Sequence, residues 1–268
     1  ITVCKNAENT IEKTIQSVLS QSYENIEYII IDGASTDNTN TLLKKYRDRI
    51  SYYISEKDEG IYHAMNKGIN IAKGDILFFL NAGDVFTDEF VVEKVVWPFS
   101  KTDIEFLYGD IFFNDGVSEK LVQFNYVDKA FFLDKNLCHQ SIFYKSEVFR
   151  KCGYFDEKYT MLADYEWNVR GLVQHRLKSG HIRIPIAKFG LDGITATVDK
   201  RLKELKRRQR RQLKKTYYNK MELMLFRLFL KQYIRTLNKK GLTKGKLIYV
   251  KLLKTIFRFN FHHKPIEF

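Results

Sequence analysis

The stretch from Tyr28 to Asp84 constrains this chain most, because it twice runs from an apolar strand into an acidic turn, with helical pattern between. YIII (28–31) and ILFFL (76–80) are short, continuous apolar runs bounded by turn residues, the pattern of strands covered on both faces in a parallel sheet. The first runs into Asp32-Gly33-Ala34-Ser35-Thr36-Asp37 and the second into Asn81-Ala82-Gly83-Asp84. Each acid therefore sits just past the carboxyl end of a strand, the edge where open α/β sheets bind their ligands. Asp and Gly also form ordinary turns and helix caps, which would explain either segment alone. Two such turns at one edge favour a shared site.

The alternation extends in both directions. Residues 1–4 read as a first strand, followed by a helix capped by Asn9 with Ile11, Ile15, Val18 and Leu19 at helical spacing. Helices are expected over 39–49, 61–71, 88–97, 146–152 and 164–174, and strands over 51–55, 75–80, 106–113, 121–126 and 182–189. This order predicts an α/β fold: a Rossmann-like, mostly parallel sheet flanked by helices, with a basic helical C-terminal extension.

The net charge of +13 is unevenly placed, and that places the domain boundary. Residues 200–268 carry 22 Lys and Arg against 3 Asp and Glu, a net +19, whereas residues 1–199 carry 23 against 29. The expected division is a body over 1–195 and a basic, amphipathic helical region over 196–268. Such a region is attracted to polyanions, either an anionic membrane surface or nucleic acid. Within it MELMLFRLFLKQYI is interrupted by Arg227 and Lys231, and Tyr249, Leu252, Leu253 and Ile256 share a face opposite Lys251, Lys254 and Arg258. Both read as interfacial or packing helices, with docking onto the body weighed equally with membrane contact, and self-association into a homodimer a third possibility. No run of about 18 uncharged apolar residues is visible. Cys4, Cys138 and Cys152 lack metal-like spacing, and their odd number argues against a disulfide framework and for a reducing, cytoplasmic setting. No signal-peptide pattern opens the sequence, and a strand with no initiating Met fits a trimmed start.

The candidate chemistry follows from the acids. Asp84 suits Mg²⁺ or Mn²⁺, ions that take oxygen ligands and are often held by one or two carboxylates, with substrate phosphates completing the shell. Asp32, beside the other strand end, suits hydrogen bonds from a base or sugar. GASTDNT has neither the glycine spacing nor the lysine of a P-loop, and GxGxxG is absent, which removes the main support for dinucleotide binding.

IIIDGASTDNT, SEKDEGIYHAMNKGINIAKGDILFFLNAGD, CHQSIFYKSEVFRKCGYFDEKY and LADYEWNVR together resemble the ordered motifs of family 2 glycosyltransferases of the GT-A fold, in particular bacterial enzymes that build surface polysaccharides. The match spans about residues 1–190. The resemblance implies inverting transfer of a sugar from a nucleotide-diphosphate sugar to an acceptor hydroxyl, with Mn²⁺ or Mg²⁺. It places Asp32 on the acid that recognises the nucleotide base, bordered by Val3 and Cys4. Asp58, Tyr62, Asn66 and Lys67 fall on segments lining the nucleotide pocket. Asn81, Gly83 and Asp84 occupy the Asp-x-Asp-type motif, with Asp84 on its metal acid; Asn81 and Gly83 stand where many members have acids. Asp164 falls on the catalytic base, and His139 and Gln140 on a position near the donor sugar or acceptor; Glu166, grouped with them, is the nearby competitor of Asp164 or forms a salt bridge. His63 stands where the family commonly has Asp.

The function expected is extension of a saccharide, on a polyprenyl-diphosphate lipid at the inner face of the plasma membrane, with the basic region on the anionic surface. A noncatalytic nucleotide-sugar-binding scaffold is the first rival. A nucleic-acid-binding protein acting through LKELKRRQRRQLKK (202–215) is the second, disfavoured by the absence of a recognition module. A nucleotidyltransferase would want a Gly-rich basic loop after the first strand, and Asn6-Ala7-Glu8-Asn9 supplies none.

Overall fold

A computed structural model describes residues 1–114, 118–124, 127–190, 200–228 and a strand at 264–266. β1 (Thr2–Cys4), β2 (Ile29–Asp32) and β3 (Tyr52–Ser55) pair in parallel in the order β1-β2-β3. β4 (Ile76–Phe78) lies along the other edge of β1, where Ile1 N–H donates to Phe78 O (2.8 Å), Leu80 N–H to Ile1 O (3.0 Å) and Ala82 N–H to Val3 O (3.1 Å). Those bonds join the parallel set to a larger group. There β8 (Ile142–Lys145) inserts antiparallel between β4 and β6 (Phe106–Asn114), and β9 (Ser179–Gly190) runs parallel to β6. Two short strands, β5 (Val85–Phe86) on β9 and β7 (Glu119–Val122) on β6, extend it antiparallel, and β10 (Lys264–Ile266) adds to β9 in parallel.

The uninterrupted apolar character of β2 has a direct structural cause: Ile29 and Ile31 face one core and Ile30 the other. On the first face lies α3 (Ile61–Ile71), with Tyr62, Met65 and Ile69 inward, and α6 (Glu147–Cys152) and α7 (Ala163–Val169). On the second lie α1 (Ile11–Leu19), α2 (Thr39–Lys45) and α4 (Val91–Lys101), with Ile15, Leu43 and Val95 inward. Helices on both faces of a sheet that is parallel at its amino-terminal half are the expected architecture. Trp167 of α7 anchors the first core, fully buried among Phe106, Tyr144, Phe149 and Phe155, with its indole N–H on Gly153 O at 2.8 Å. Gly109 is required where β6 and β9 meet: a Cβ there would lie 2.8 Å from Ile184 O. The register slips at Gly109/Asp110 and Asp110/Ile111.

Some elements differ from the sequence-based expectation. Thr10, not Asn9, is the residue before α1, and it makes no side-chain cap bond. α4 begins three residues later than expected and continues through Pro98, which is buried like Phe99, while Thr102 N–H closes the last turn on Pro98 O (3.0 Å). β7 lies at 119–122 instead of 121–126, because its partners on β6 are Ile111 to Asn114; residues 125–126 lie outside the described residues. The helix expected over 164–174 is α up to Val169 and π from Arg170 to Gln174. Neither β8 nor α5 (Phe131–Asp134) was expected as a regular element.

α8 (Lys200–Tyr217) is docked on the body. Gln209 accepts from Met161 N–H (3.2 Å) and donates to Lys158 O (3.3 Å), Leu213 is buried in the first core, and Tyr218 and Phe226 bury against Ala130 and Leu133 of the α5 region. The chain is helical again over 220–228. The rest of MELMLFRLFLKQYI, the 249–258 stretch and the His262-His263 pair lie outside the described residues. Among the described residues no helix is long and apolar enough to cross a membrane.

Candidate functional site

Asp164 occupies the first turn of α7 and is 9% exposed. Its Oδ1 accepts from the Tyr62 hydroxyl (3.0 Å) and from Tyr165 N–H (2.8 Å); its Oδ2 accepts from Asn136 Nδ2 (3.1 Å). His139 Nδ1 stands 3.9 Å from the same Oδ2, and its Nε2 is 2.8 Å from Asn81 Nδ2. With Asn81 donating to Nε2, the proton of a neutral ring sits on Nδ1, facing Asp164. Asn168 secures the end of this network by donating to Asn136 Oδ1 (3.2 Å) and Leu137 O (3.1 Å).

Asp84 follows Gly83, whose φ of +99° is the left-handed conformation glycine tolerates. Gly83 N–H binds Thr14 Oγ1 on α1 (3.0 Å), and Asp84 N–H binds Asn81 O (3.0 Å), so this turn is fixed to both neighbours. Gln140 Nε2 donates to Asp84 Oδ2 at 2.9 Å. The short helical turn His139–Ser141 thus carries one residue to each acid, His139 toward Asp164 and Gln140 to Asp84. Burial pushes the Asp84 carboxyl up to about 6, against the opposing pull of Gln140 and His139. Among the described residues the neighbouring Asn81 Oδ1 is buried with no hydrogen-bond partner, an acceptor left over at this turn. Cys138 lies between the acids: burial, then Asp164 and Asp84, push its thiol up to about 12.

Asp32 is fully buried and all four of its acceptor positions are filled. Oδ1 takes the Ser35 hydroxyl and the Cys4 thiol (3.6 Å), while Oδ2 takes Ser35 N–H (3.0 Å) and the Ser55 hydroxyl (2.5 Å). Asp58 stands against the adjacent Gly33, where a Cβ would meet its Oδ2 at 2.3 Å. Val3 is a core residue of β1.

The remaining sequence candidates fall into bracing positions. Asn66 binds Phe155 O and N–H (2.9 and 3.1 Å) and Glu157 (2.7 Å), and Lys67 pairs with Glu56 (2.7 Å) and donates to Lys57 O (3.1 Å). His63 Nδ1 accepts from Glu59 N–H at 3.0 Å. Glu166 takes the salt-bridge alternative: Arg170 holds it through Nε and Nη2, each at 2.9 Å, and the Tyr217 hydroxyl of α8 donates to it. Its oxygens are committed to that pair, apart from the Asp164–His139 chain. Asn136 and Asn168 carried no sequence signal. A cleft of about 850 Å³ lies elsewhere, lined by Glu27, Tyr28, Asp75 and Ile76.

Residues 1–150 match the profile of Glycosyl transferase family 2. This chain belongs to glycosyltransferase family 2. The glycosyltransferase is 34% identical over 200 residues to an uncharacterized glycosyltransferase of Mycobacterium tuberculosis, covering 72% of this chain and 75% of that one. It is 28% identical over 199 residues to a PGL/p-HBAD biosynthesis glycosyltransferase of Mycobacterium tuberculosis, covering 72% and 77%. Its fold resembles S. aureus TarS in complex with UDP-GlcNAc (TM-score 0.61, 13% identity, 97% of this chain and 72% of that one). It also resembles a mannosyltransferase from Pyrobaculum calidifontis in complex with GDP-Man and Mn²⁺ (TM-score 0.53, 14% identity, 69% and 53%). The fold of the glycosyltransferase is therefore GT-A-like.

Proposed function

We propose that the protein is a metal-dependent, inverting glycosyltransferase that moves a sugar from a nucleotide-diphosphate sugar to a hydroxyl of a lipid-linked saccharide in surface-polysaccharide synthesis. The observation that carries this reading is the pairing of two buried acids by one short turn, Asp164 beside His139 and Asp84 on Gln140. A sugar hydroxyl is a poor nucleophile at neutral pH, and displacement with inversion needs a base opposite the leaving diphosphate. Asp164 would take that proton on Oδ2, while Tyr62 and Tyr165 N–H hold Oδ1 and fix the carboxylate's direction.

The oxygen chemistry at the Asp84 turn fits Mn²⁺ or Mg²⁺. Asp84 supplies a carboxylate and Asn81 Oδ1 an unpartnered buried oxygen, enough for an ion whose other ligands are phosphate and water. Such an ion, when bound, offsets charge developing on the departing nucleoside diphosphate. The donor base is assigned to the Asp32 and Asp58 side of the sheet edge, and the UDP-GlcNAc and GDP-Man complexes of the fold relatives support a nucleotide sugar.

Peripheral membrane association is part of this reading. Met221, Met224 and Leu228 are 63%, 53% and 54% exposed along one side of the 220–228 helix, with exposed Lys220 and Arg227 together on the adjoining flank. Apolar side chains flanked by cations suit the surface of an anionic bilayer, where each cation gains roughly 1 kcal/mol. The direct test is calorimetric titration with uridine and guanosine diphosphates, with and without Mn²⁺. Metal-enhanced binding of one of them, lost in Asp84→Ala, is expected; no binding of either would overturn the donor assignment.

A further inference from the structure

α8 sets Lys206, Arg210 and Lys214 at successive fourth positions, on one helical face, and that face is turned toward the protein. Arg210 is the unusual member. Its Cζ lies 5.5 Å from the centre of the Tyr165 ring, next in sequence to Asp164, yet its Nε and Nη2 are buried without a hydrogen-bond partner among the described residues. Guanidinium donors removed from water are ordinarily paired with a carboxylate, a carbonyl or an anion. Lys214 is half buried beside it: burial, followed by Arg210 and Arg227, holds its amine below the ordinary value, with Asp134 opposing. Three cations thus crowd one half-buried place. Lys206 extends the row toward Cys138, whose thiol it acts on together with Asp164 and Asp84. At the other end Lys214 Nζ sits 5.6 Å over the Phe226 ring, on the helix that exposes Met221, Met224 and Leu228.

We propose that Lys206, Arg210 and Lys214 form a subsite for the phosphate of the acceptor, with Arg210 its central ligand. The row leads from the base Asp164 to the exposed apolar stripe, so a phosphate seated on it would leave the acceptor's sugar toward Asp164 and its hydrocarbon toward Met224. The unpaired Arg210 donors supply the planar fork that phosphate oxygens accept, and the two lysines supply charge on either side. This rests on the reading of Asp164 as the base and adds the chemical class of group that anchors the acceptor.

The test is calorimetric titration of the full chain with dodecyl phosphate below its micelle concentration, in the presence of Mn²⁺ and saturating uridine or guanosine diphosphate. Binding is expected, at least tenfold tighter than inorganic phosphate and weakened at least tenfold by Arg210→Met, with Arg210→Lys intermediate and nucleotide affinity unchanged. Arg210→Met is also expected to keep or raise the melting temperature, since it removes a desolvated charge. If that variant fails to fold, Lys206→Met and Lys214→Met carry the same comparison. Equal affinity in the variants overturns the subsite, as does binding of inorganic phosphate alone or displacement of dodecyl phosphate by the nucleotide. A wild-type chain that binds neither nucleotide sinks the donor reading only, because dodecyl phosphate alone still reads the subsite.

Discussion

The hydroxyl of Tyr62, in the first turn of α3, donates to Asp164 Oδ1 in the first turn of α7, joining positions 102 residues apart at 3.0 Å. The bond holds one carboxylate oxygen so that the other stays directed at His139 and Asn136. Tyr62→Phe removes this donor while Tyr165 N–H remains. Hydrogen bonds to charged groups are worth about 1.5–3 kcal/mol, so turnover should fall roughly 10- to 100-fold. Steady-state kinetics would show the loss in kcat with donor KM unchanged; a change confined to donor KM would instead make Tyr62 a nucleotide contact.

Asp164→Asn keeps the shape of the network but cannot accept the proton. Transfer should drop about 10²- to 10⁴-fold, the usual worth of a general base. Nucleoside diphosphate affinity, measured by calorimetry, should stay within a factor of two or so; a fully active variant would move the base elsewhere.

Asp84 makes the site pH-dependent with a defined sign. Its folded-state value of about 6 lies above the ordinary 3.8, so the folded chain holds this proton more tightly than the unfolded chain. The ionised carboxylate therefore costs stability: nothing below about pH 4, a growing amount up to pH 6, and a constant penalty of about 3 kcal/mol above. Without metal, Asp84→Asn should raise the melting temperature at pH 8 and leave it nearly unchanged at pH 4. If Asp84 holds the proposed metal, metal and proton compete for it, and the Mn²⁺-dependent part of nucleotide binding should weaken about tenfold per pH unit below 6 and level off above it. Metal-enhanced binding that is flat from pH 5 to 8 would remove Asp84 from the metal site.

The apolar stripe beside the basic helix can be tested without deleting any packed element. Met221→Asp, Met224→Asp and Leu228→Asp combined should lower binding to phosphatidylglycerol-containing vesicles at least tenfold, by losing apolar contact and adding repulsion. The exposed positions leave Leu213, Tyr218 and Phe226 in place, so the melting temperature should move by only a few degrees. Undiminished sedimentation with vesicles would assign the stripe to something other than lipid.

The sequence carried the parallel half of the sheet almost residue by residue, because strands buried on both faces must be apolar throughout and their turns must follow at once. β8 escaped because Ile142 to Lys145 gives four residues with no alternation, and an antiparallel insertion between two distant strands leaves no trace in periodicity. Asp164, His139, Gln140 and Asp84 were legible through their motifs, whereas Asn136 was not: an isolated Asn in a loop is indistinguishable from a turn former. The π segment after Val169 was hidden for a related reason. Arg170 opens it and binds Glu166, Cys152 O and Tyr154 O at once, a three-way contact set by tertiary placement. Such insertions recur at functional sites, and this one follows the helix that carries the candidate base.

The saturated environment of Asp32 bears on how a nucleotide would be chosen. A base arriving at that carboxylate finds no vacant lone pair and must trade its own N–H for the hydroxyl of Ser35 or Ser55 or the thiol of Cys4. The contact then behaves as an exchange reaction, contributing the small difference between two hydrogen bonds to affinity while penalising any base that displaces a donor without replacing it. Selectivity for a base bound there would be written in the leaving hydroxyls as much as in the acid.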